Sequence, residues 1–308
     1  MIGARLALVA LGLAILPGSC IAAPPTPAVK PGTKIGKPVS VERLIPAPTA
    51  PLAIGQFKLD RAPEQGGLAR GMVPVGTKRL VVDGQDVRLA PDGAFVIGFG
   101  RDYKDSVTLA GFGASFGNGA AITEKLSVKK RAWIVENLST LRHHSQPDAV
   151  FAARRPAELA QINAARRVQP QAEGWRQRFV WPVKGRISGF FGSQRIYAGE
   201  PGAPHNGVDV SGGTGTPVAA PADGVVTLAA AAPFTLEGNL LMIDHGMGLN
   251  SAFLHLSRID VKAGDRIRQG QIIGAIGMTG RATGPHLHWG MKWQDERLDP
   301  QALAGPMR

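Results

Sequence analysis

The chain has 308 residues, 44% hydrophobic and 19% charged, a globular mixture that argues against a disordered or fibrous polymer. Forty glycines and 24 prolines beside only 6% aromatics argue against a helical bundle and favour short strands joined by many turns. The formal net charge of +12 suits an anionic partner, but no nucleic-acid-binding motif accompanies it, so nucleic acid is not an expected partner.

Residues 1–22 read as a secretory signal peptide: a short basic start ending at Arg5, an apolar run from Leu6 to Pro17, then small residues up to Ala22. The apolar run is too short to span a bilayer comfortably, and no later segment resembles a transmembrane helix. Cys20 is the only cysteine. Lipid attachment there is disfavoured, because Pro17 stands where a lipobox carries leucine. Signal cleavage then leaves a mature chain without a thiol, which suits an oxidising compartment.

Residues 23–56 hold eight prolines among Lys30, Lys34, Lys37 and Arg43, the composition of an extended basic tether. Residues 57–141 form a small β-rich N-terminal domain. Within it, Arg79–Val82 and Val87–Leu89 flank an Asp83-Gly84 turn, and Ala94–Phe99 follows the turn at Pro91-Asp92-Gly93. Val107–Leu109 and Lys129–Glu136 are further expected strands. Gly111, Gly113 and Gly117 lack the spacing of a dinucleotide fingerprint. Residues 142–178 form a basic helical connector in which Glu158, Leu159, Ile162, Ala165 and Arg166 keep helical spacing and Pro156 suits a first turn. Residues 179–303 return to short strands, at Gly224–Leu228, Asn239–Ile243, Asn250–Leu256 and Gln271–Ile276, punctuated by Gly, Pro and Asp turns. The fold class is mainly β, with a C-terminal antiparallel sheet or barrel-like domain, a smaller N-terminal β domain and a short helical connector.

Five of the seven histidines lie between 205 and 288. His205 and Asp209 are four residues apart among glycines and a proline that discourage a helix; on a strand, an even separation puts both on one face. His286 and His288 share a strand face in the same way, with Leu287 turned the opposite way. Imidazole nitrogens and one carboxylate, with a fourth position open, suit catalytic zinc better than calcium or magnesium. A single carboxylate leaves such a site positive, which lowers the pKa of bound water and polarises a carbonyl. His245 reads as a turn-shaping residue, His143 and His144 as surface, and Arg195 as equally suited to the site or to a salt bridge.

Three blocks in order, His205-x-x-x-Asp209, Phe253-Leu254-His255-Leu256-Ser257 and Gly284-Pro285-His286-Leu287-His288, resemble the lysostaphin/LytM-type zinc metallopeptidases. Secondary blocks agree, among them Trp181-Pro182-Val183, Pro221-Ala222-Asp223-Gly224 and Ile243-Asp244-His245-Gly246. The resemblance covers residues 179–300. It implies one zinc ion per chain held by His205, Asp209 and His288, with His255 and His286 as the catalytic pair, and peptidoglycan as substrate. It does not say which histidine is the base. His-Glu-x-x-His is absent from the sequence, so a glutamate base is not expected.

With the export signal, the resemblance implies a periplasmic endopeptidase opening peptide cross-links of the D,D type, able to meet other cell-wall or division proteins. The alternative is a non-catalytic relative that binds the wall and activates another hydrolase. Such relatives lose ligands or catalytic histidines, and all five positions are present here. A zinc peptidase acting on secreted proteins would share the same site.

Overall fold

The computed structural model describes residues 52–54, 56–116, 120–138 and 149–307. The signal peptide, most of the proline-rich tether, and His143 and His144 lie outside the described residues. Two antiparallel four-stranded sheets build the first part. One orders Leu52–Ile54, Phe57–Leu59, Leu68–Met72 and Ala94–Gly98; the other Gln85–Val87, Arg79–Val82, Ser106–Phe112 and Ala121–Ser127. Asp83 and Gly84 take φ of 49° and 87°, the left-handed pair that a two-residue hairpin turn requires. Phe57, Leu59, Phe95 and Leu109 are fully buried between these sheets.

The strand expected at Lys129–Glu136 divides differently. Pairing ends at Ser127, Lys129 makes an isolated bridge to Glu64, and Val135–Leu138 pairs in parallel with Gln194–Tyr197. The residues between are diverted because Trp133 packs edge-on against Phe191, with ring centroids 5.6 Å apart.

Helix α1 spans Ala149–Arg167, so Pro156 lies inside the helix rather than in its first turn. Pro156 is exposed, and flanking side chains hold the helix there. Arg155 forks onto the Glu237 carboxylate at 2.6 and 2.8 Å, and Glu158 accepts from the Thr235 N–H and hydroxyl. Ile162 and Ala165 are buried against Phe234, Leu240 and Met242.

The C-terminal part is an antiparallel sheet in the order Ile187–Gly189, Val208–Ser211, His286–Trp293, Leu249–Leu256, Asn239–Asp244, Gly224–Ala229, Arg266–Ile267, with Glu296–Leu298 added beside His286–Trp293. Alternation sorts its two faces. Leu241, Ile243, Leu287 and Trp289 enter the main core, whereas Leu240 and Met242 meet α1. That main core is continuous with the N-terminal sheets: Gly98 lies so close to Trp293 and Leu298 that a β-carbon would come within 2.9 Å of both. Arg70 adds hydrogen bonds to the carbonyls of Trp175 and Gln177 at 2.5 and 2.9 Å.

Candidate metal and catalytic site

Asp209 and His288 are cross-strand partners in the Val208–Ser211 and His286–Trp293 pair. Val208, Val210, Leu287 and Trp289 are fully buried on the core face, so alternation turns Asp209, His286 and His288 toward the other face. His205 arrives differently from the strand placement that its spacing suggested. It sits in the loop before the strand, bonded through its N–H to Ser193 O and through its carbonyl to the Gly192 N–H. The close turn at Gly207 brings it back: a β-carbon there would press on His288 Nε2 and the Trp289 carbonyl at 2.6 Å each. A β-carbon on Gly189 would collide with the Asp209 carboxylate. These two glycines shape the site, yet nothing in their sequence spacing marks them.

Ligand-type atoms of His205, Asp209 and His288 all lie within 4.8 Å of one another. His205 Nε2 is 3.2 Å from both Asp209 Oδ1 and His288 Nδ1, and the latter is 2.8 Å from Asp209 Oδ1. His205 donates its Nδ1–H to the Phe190 carbonyl at 3.1 Å, which frees the Nε2 lone pair for the cluster. Two imidazole nitrogens and a carboxylate oxygen so close need a cation or shared protons between them, and this donor set fits zinc. Burial alone would raise the Asp209 carboxyl, yet hydrogen bonds from His205 and His288 hold it far below its usual range. Burial pushes His288 down; for His205 the Asp209 carboxylate outweighs burial and raises it.

His255 closes the Leu249–Leu256 strand with φ of 63°, a left-handed conformation rare for a residue with a side chain. Its N–H bonds Glu237 O and its Nδ1–H donates to Thr279 O, each at 2.8 Å. His286 donates Nδ1–H to Gly284 O at 2.8 Å and holds Nε2 3.8 Å from Asp209 Oδ1. The two rings lie 4.9 Å apart, and with Nδ1–H bonded to a carbonyl the neutral form of each ring carries its lone pair on Nε2. Burial depresses His255, keeping it neutral at physiological pH and able to accept a proton.

All five residues line one cleft of about 860 Å³. Arg195 stands on its rim, ion-paired to Glu136 at 2.9 Å. His245 lies outside it, fully buried, donating from Nδ1 to Asp223 O at 2.7 Å and accepting at Nε2 from the Ser251 hydroxyl at 2.8 Å. The Ser251 oxygen also accepts from Trp289 Nε1, so the network sits directly behind the strand that carries His288.

A mainly antiparallel β sheet presenting a His-Asp-His cluster and two further histidines in one cleft defines a metallopeptidase-type site. Residues 203–300 match the model of peptidase family M23. A crystal structure of a candidate M23 peptidase from Pseudomonas aeruginosa superposes with TM-score 0.60 at 30% identity, covering 80% of this chain and 96% of that one. The chain belongs to peptidase family M23, a family of metallopeptidases. Curated relatives include the peptidoglycan DD-endopeptidase ShyA of Vibrio cholerae, 44% identical over 114 residues (37% of this chain, 26% of the relative). The DD-carboxypeptidase/endopeptidase Mpg of Neisseria meningitidis is 39% identical over 102 residues (33% and 23%). The chain thus spans about a quarter of the length of these relatives.

Proposed function

We propose that the chain is an exported zinc metalloendopeptidase that hydrolyses peptide cross-links of peptidoglycan, of the D,D type. The observation that carries this reading is the convergence on one cleft of three ligand-type side chains and two histidines whose Nδ1 atoms are tied to backbone carbonyls. In this reading His205, Asp209 and His288 would hold one zinc ion, and the chemistry it would supply is Lewis-acid activation of water and polarisation of the scissile carbonyl. His255 and His286 present Nε2 to the cleft, one taking a proton from the attacking water and the other serving the oxyanion or the leaving amine. The buried, depressed His255 suits the base. Relatives named as peptidoglycan DD-endopeptidases support the substrate class and the bond type. The net charge of +12 suits the carboxylates of a peptidoglycan surface.

Among the described residues, Ile134 of the N-terminal β-rich part and Arg155 and Leu159 of the connector helix serve the cleft as walls. The expected export to the periplasm rests on residues 1–22; no helix among the described residues is long and apolar enough to cross a membrane.

Digestion of purified sacculi by the zinc-loaded protein, with products identified by mass spectrometry, tests the proposal. Release of uncross-linked muropeptides, abolished by chelation and restored by zinc, is the expected result. Sacculi left fully cross-linked by zinc-loaded, folded protein would refute it.

A further inference from the structure

The cleft continues well past the metal cluster. Along the His286–Trp293 strand the residues on the cleft face are His286, His288, Gly290 and Lys292, since Leu287, Trp289 and Met291 enter the core. At roughly 3.3 Å per residue, Lys292 lies about 13 Å from His288. The middle of this trough is low because Gly290 pairs across to Ala252. At its far end Lys292 pairs with Arg297 on the Glu296–Leu298 strand. Helix α1 roofs the trough with Arg155, Leu159, Ile162 and Arg166, which share one face at spacings of four, three and four residues. Arg155 is spent on Glu237, at the end nearer His255.

Arg166 reaches the other end with its charge unspent. Its Nε is buried without a hydrogen-bond partner, and among the described residues neither the Arg166 nor the Arg297 guanidinium makes a hydrogen bond or an ion pair. Burial and the like charge of Arg297 both push Arg166 down, with Glu237 and Asp295 opposing. Of these two carboxylates, Glu237 is held bidentately by Arg155, and Asp295 is fully exposed on Lys292 at 3.1 Å. Two idle arginines facing one trough form a strongly positive end that an anion would neutralise, and guanidinium forks fit a carboxylate.

We propose that Arg166 and Arg297, with Lys292 beside them, form a carboxylate subsite that reads a free carboxylate of the substrate peptide about four extended residues from the bond at the metal. This rests on the peptidase reading and adds to it a substrate class: an extended peptide strand with an acidic group at a fixed distance. Helix α1 is then part of the substrate site and not merely a connector.

Equilibrium binding to the full-length, zinc-loaded His255→Ala variant tests this apart from turnover. The probes are a cross-linked muropeptide dimer in its free-acid form and the same dimer with its carboxylates converted to carboxamides. The free acid should bind on the order of tenfold tighter or more, as a charge-assisted hydrogen-bond pair in a partly buried site provides. Adding Arg166→Gln and Arg297→Gln should erase that difference, and Arg166→Lys with Arg297→Lys should keep most of it. Arg297→Gln alone, at the exposed middle position of the Glu296–Leu298 strand, should shrink the difference even if the double variant folds poorly. Equal binding of acid and carboxamide, no binding of either, or discrimination surviving in the glutamine variants overturns the subsite. Turnover of the free-acid dimer by the wild-type chain is measured separately. Its absence would overturn the endopeptidase reading while leaving the binding comparison to decide the subsite.

Discussion

Asp209 and His288 face each other across two antiparallel strands, with Oδ1 2.8 Å from Nδ1, and this register fixes the metal cluster. A one-residue slip of either strand would turn its member of the pair into the core. Gly207 and Gly189 permit the close approach that then brings His205 into the same cluster.

Removal of a donor should therefore empty the site. His205→Ala, Asp209→Ala and His288→Ala should each weaken zinc binding by more than the roughly 10–100-fold that loss of an outer partner costs. Elemental analysis after gel filtration is the measurement. Stoichiometric zinc in any of the three variants would remove that residue from the ligand set.

The cleft histidines should separate from the ligands in this assay. His255→Ala and His286→Ala should retain zinc and fold, yet lose about 10²–10⁴-fold in turnover, the usual contribution of a general acid or base. Their Nδ1–H groups are tied to the Thr279 and Gly284 carbonyls, so asparagine at either position tests whether the lost activity is proton transfer or ring placement. Loss of metal from His286→Ala with retention in His288→Ala would exchange their roles.

Much of this site was legible because the ligand spacings are local and chemically unusual. His286 and His288 lie on one strand face as their spacing predicts, and Asp209 lies opposite His288. His205 defied the same rule, since it reaches the cluster from a loop whose course depends on Ser193 and Phe190, set by tertiary contacts. The strand at Val135–Leu138 and the internal position of Pro156 in α1 are hidden from the sequence for a related reason. Parallel pairing with Gln194–Tyr197 and the clamps from Glu237 and Thr235 join residues roughly 60 to 80 positions apart. The reach of α1 over the cleft is equally non-local, so the sequence alone shows only a basic helical connector.

Stability in acid should depend on His245. Burial lowers its pKa from 6.5 to about 4, so the folded state carries it neutral, between the Asp223 carbonyl and the Ser251 hydroxyl. Its contribution is complete above the unfolded value and is lost as pH falls toward 4, by about 2 kcal/mol between pH 7 and 5. Asp244 works in the opposite direction. Burial raises it to about 6, one carboxyl oxygen is buried without a partner, and its protonation adds stability as pH falls through that value. Chelator-treated protein unfolded in urea at pH 7 and 5 should thus lose more stability as Asp244→Asn than as wild type, and less as His245→Gln. Identical pH slopes in all three proteins would show that neither group titrates as described.

Trp133 should matter to metal binding without touching the metal. Its ring packs against Phe191, lies against Gly192 too closely for a β-carbon there, and carries Arg131 at 4.6 Å. The loop it covers supplies Phe190 O to His205 Nδ1 and Ser193 O to the His205 N–H, so its rigidity sets where His205 Nε2 points. Trp133→Ala should cost about 3–5 kcal/mol if fully felt as core truncation, and less here because the residue is only partly buried. The more telling readout is zinc affinity, expected to fall by roughly 10–100-fold, as for loss of an outer partner. Trp133→Phe, which retains an aromatic face toward Phe191, should recover most of that affinity. The order alanine weaker than phenylalanine weaker than wild type, measured by competition with a chromophoric chelator in the full-length protein, ties the N-terminal part to the metal site. Unchanged affinity in the folded alanine variant would mean that the His205 loop holds its shape alone.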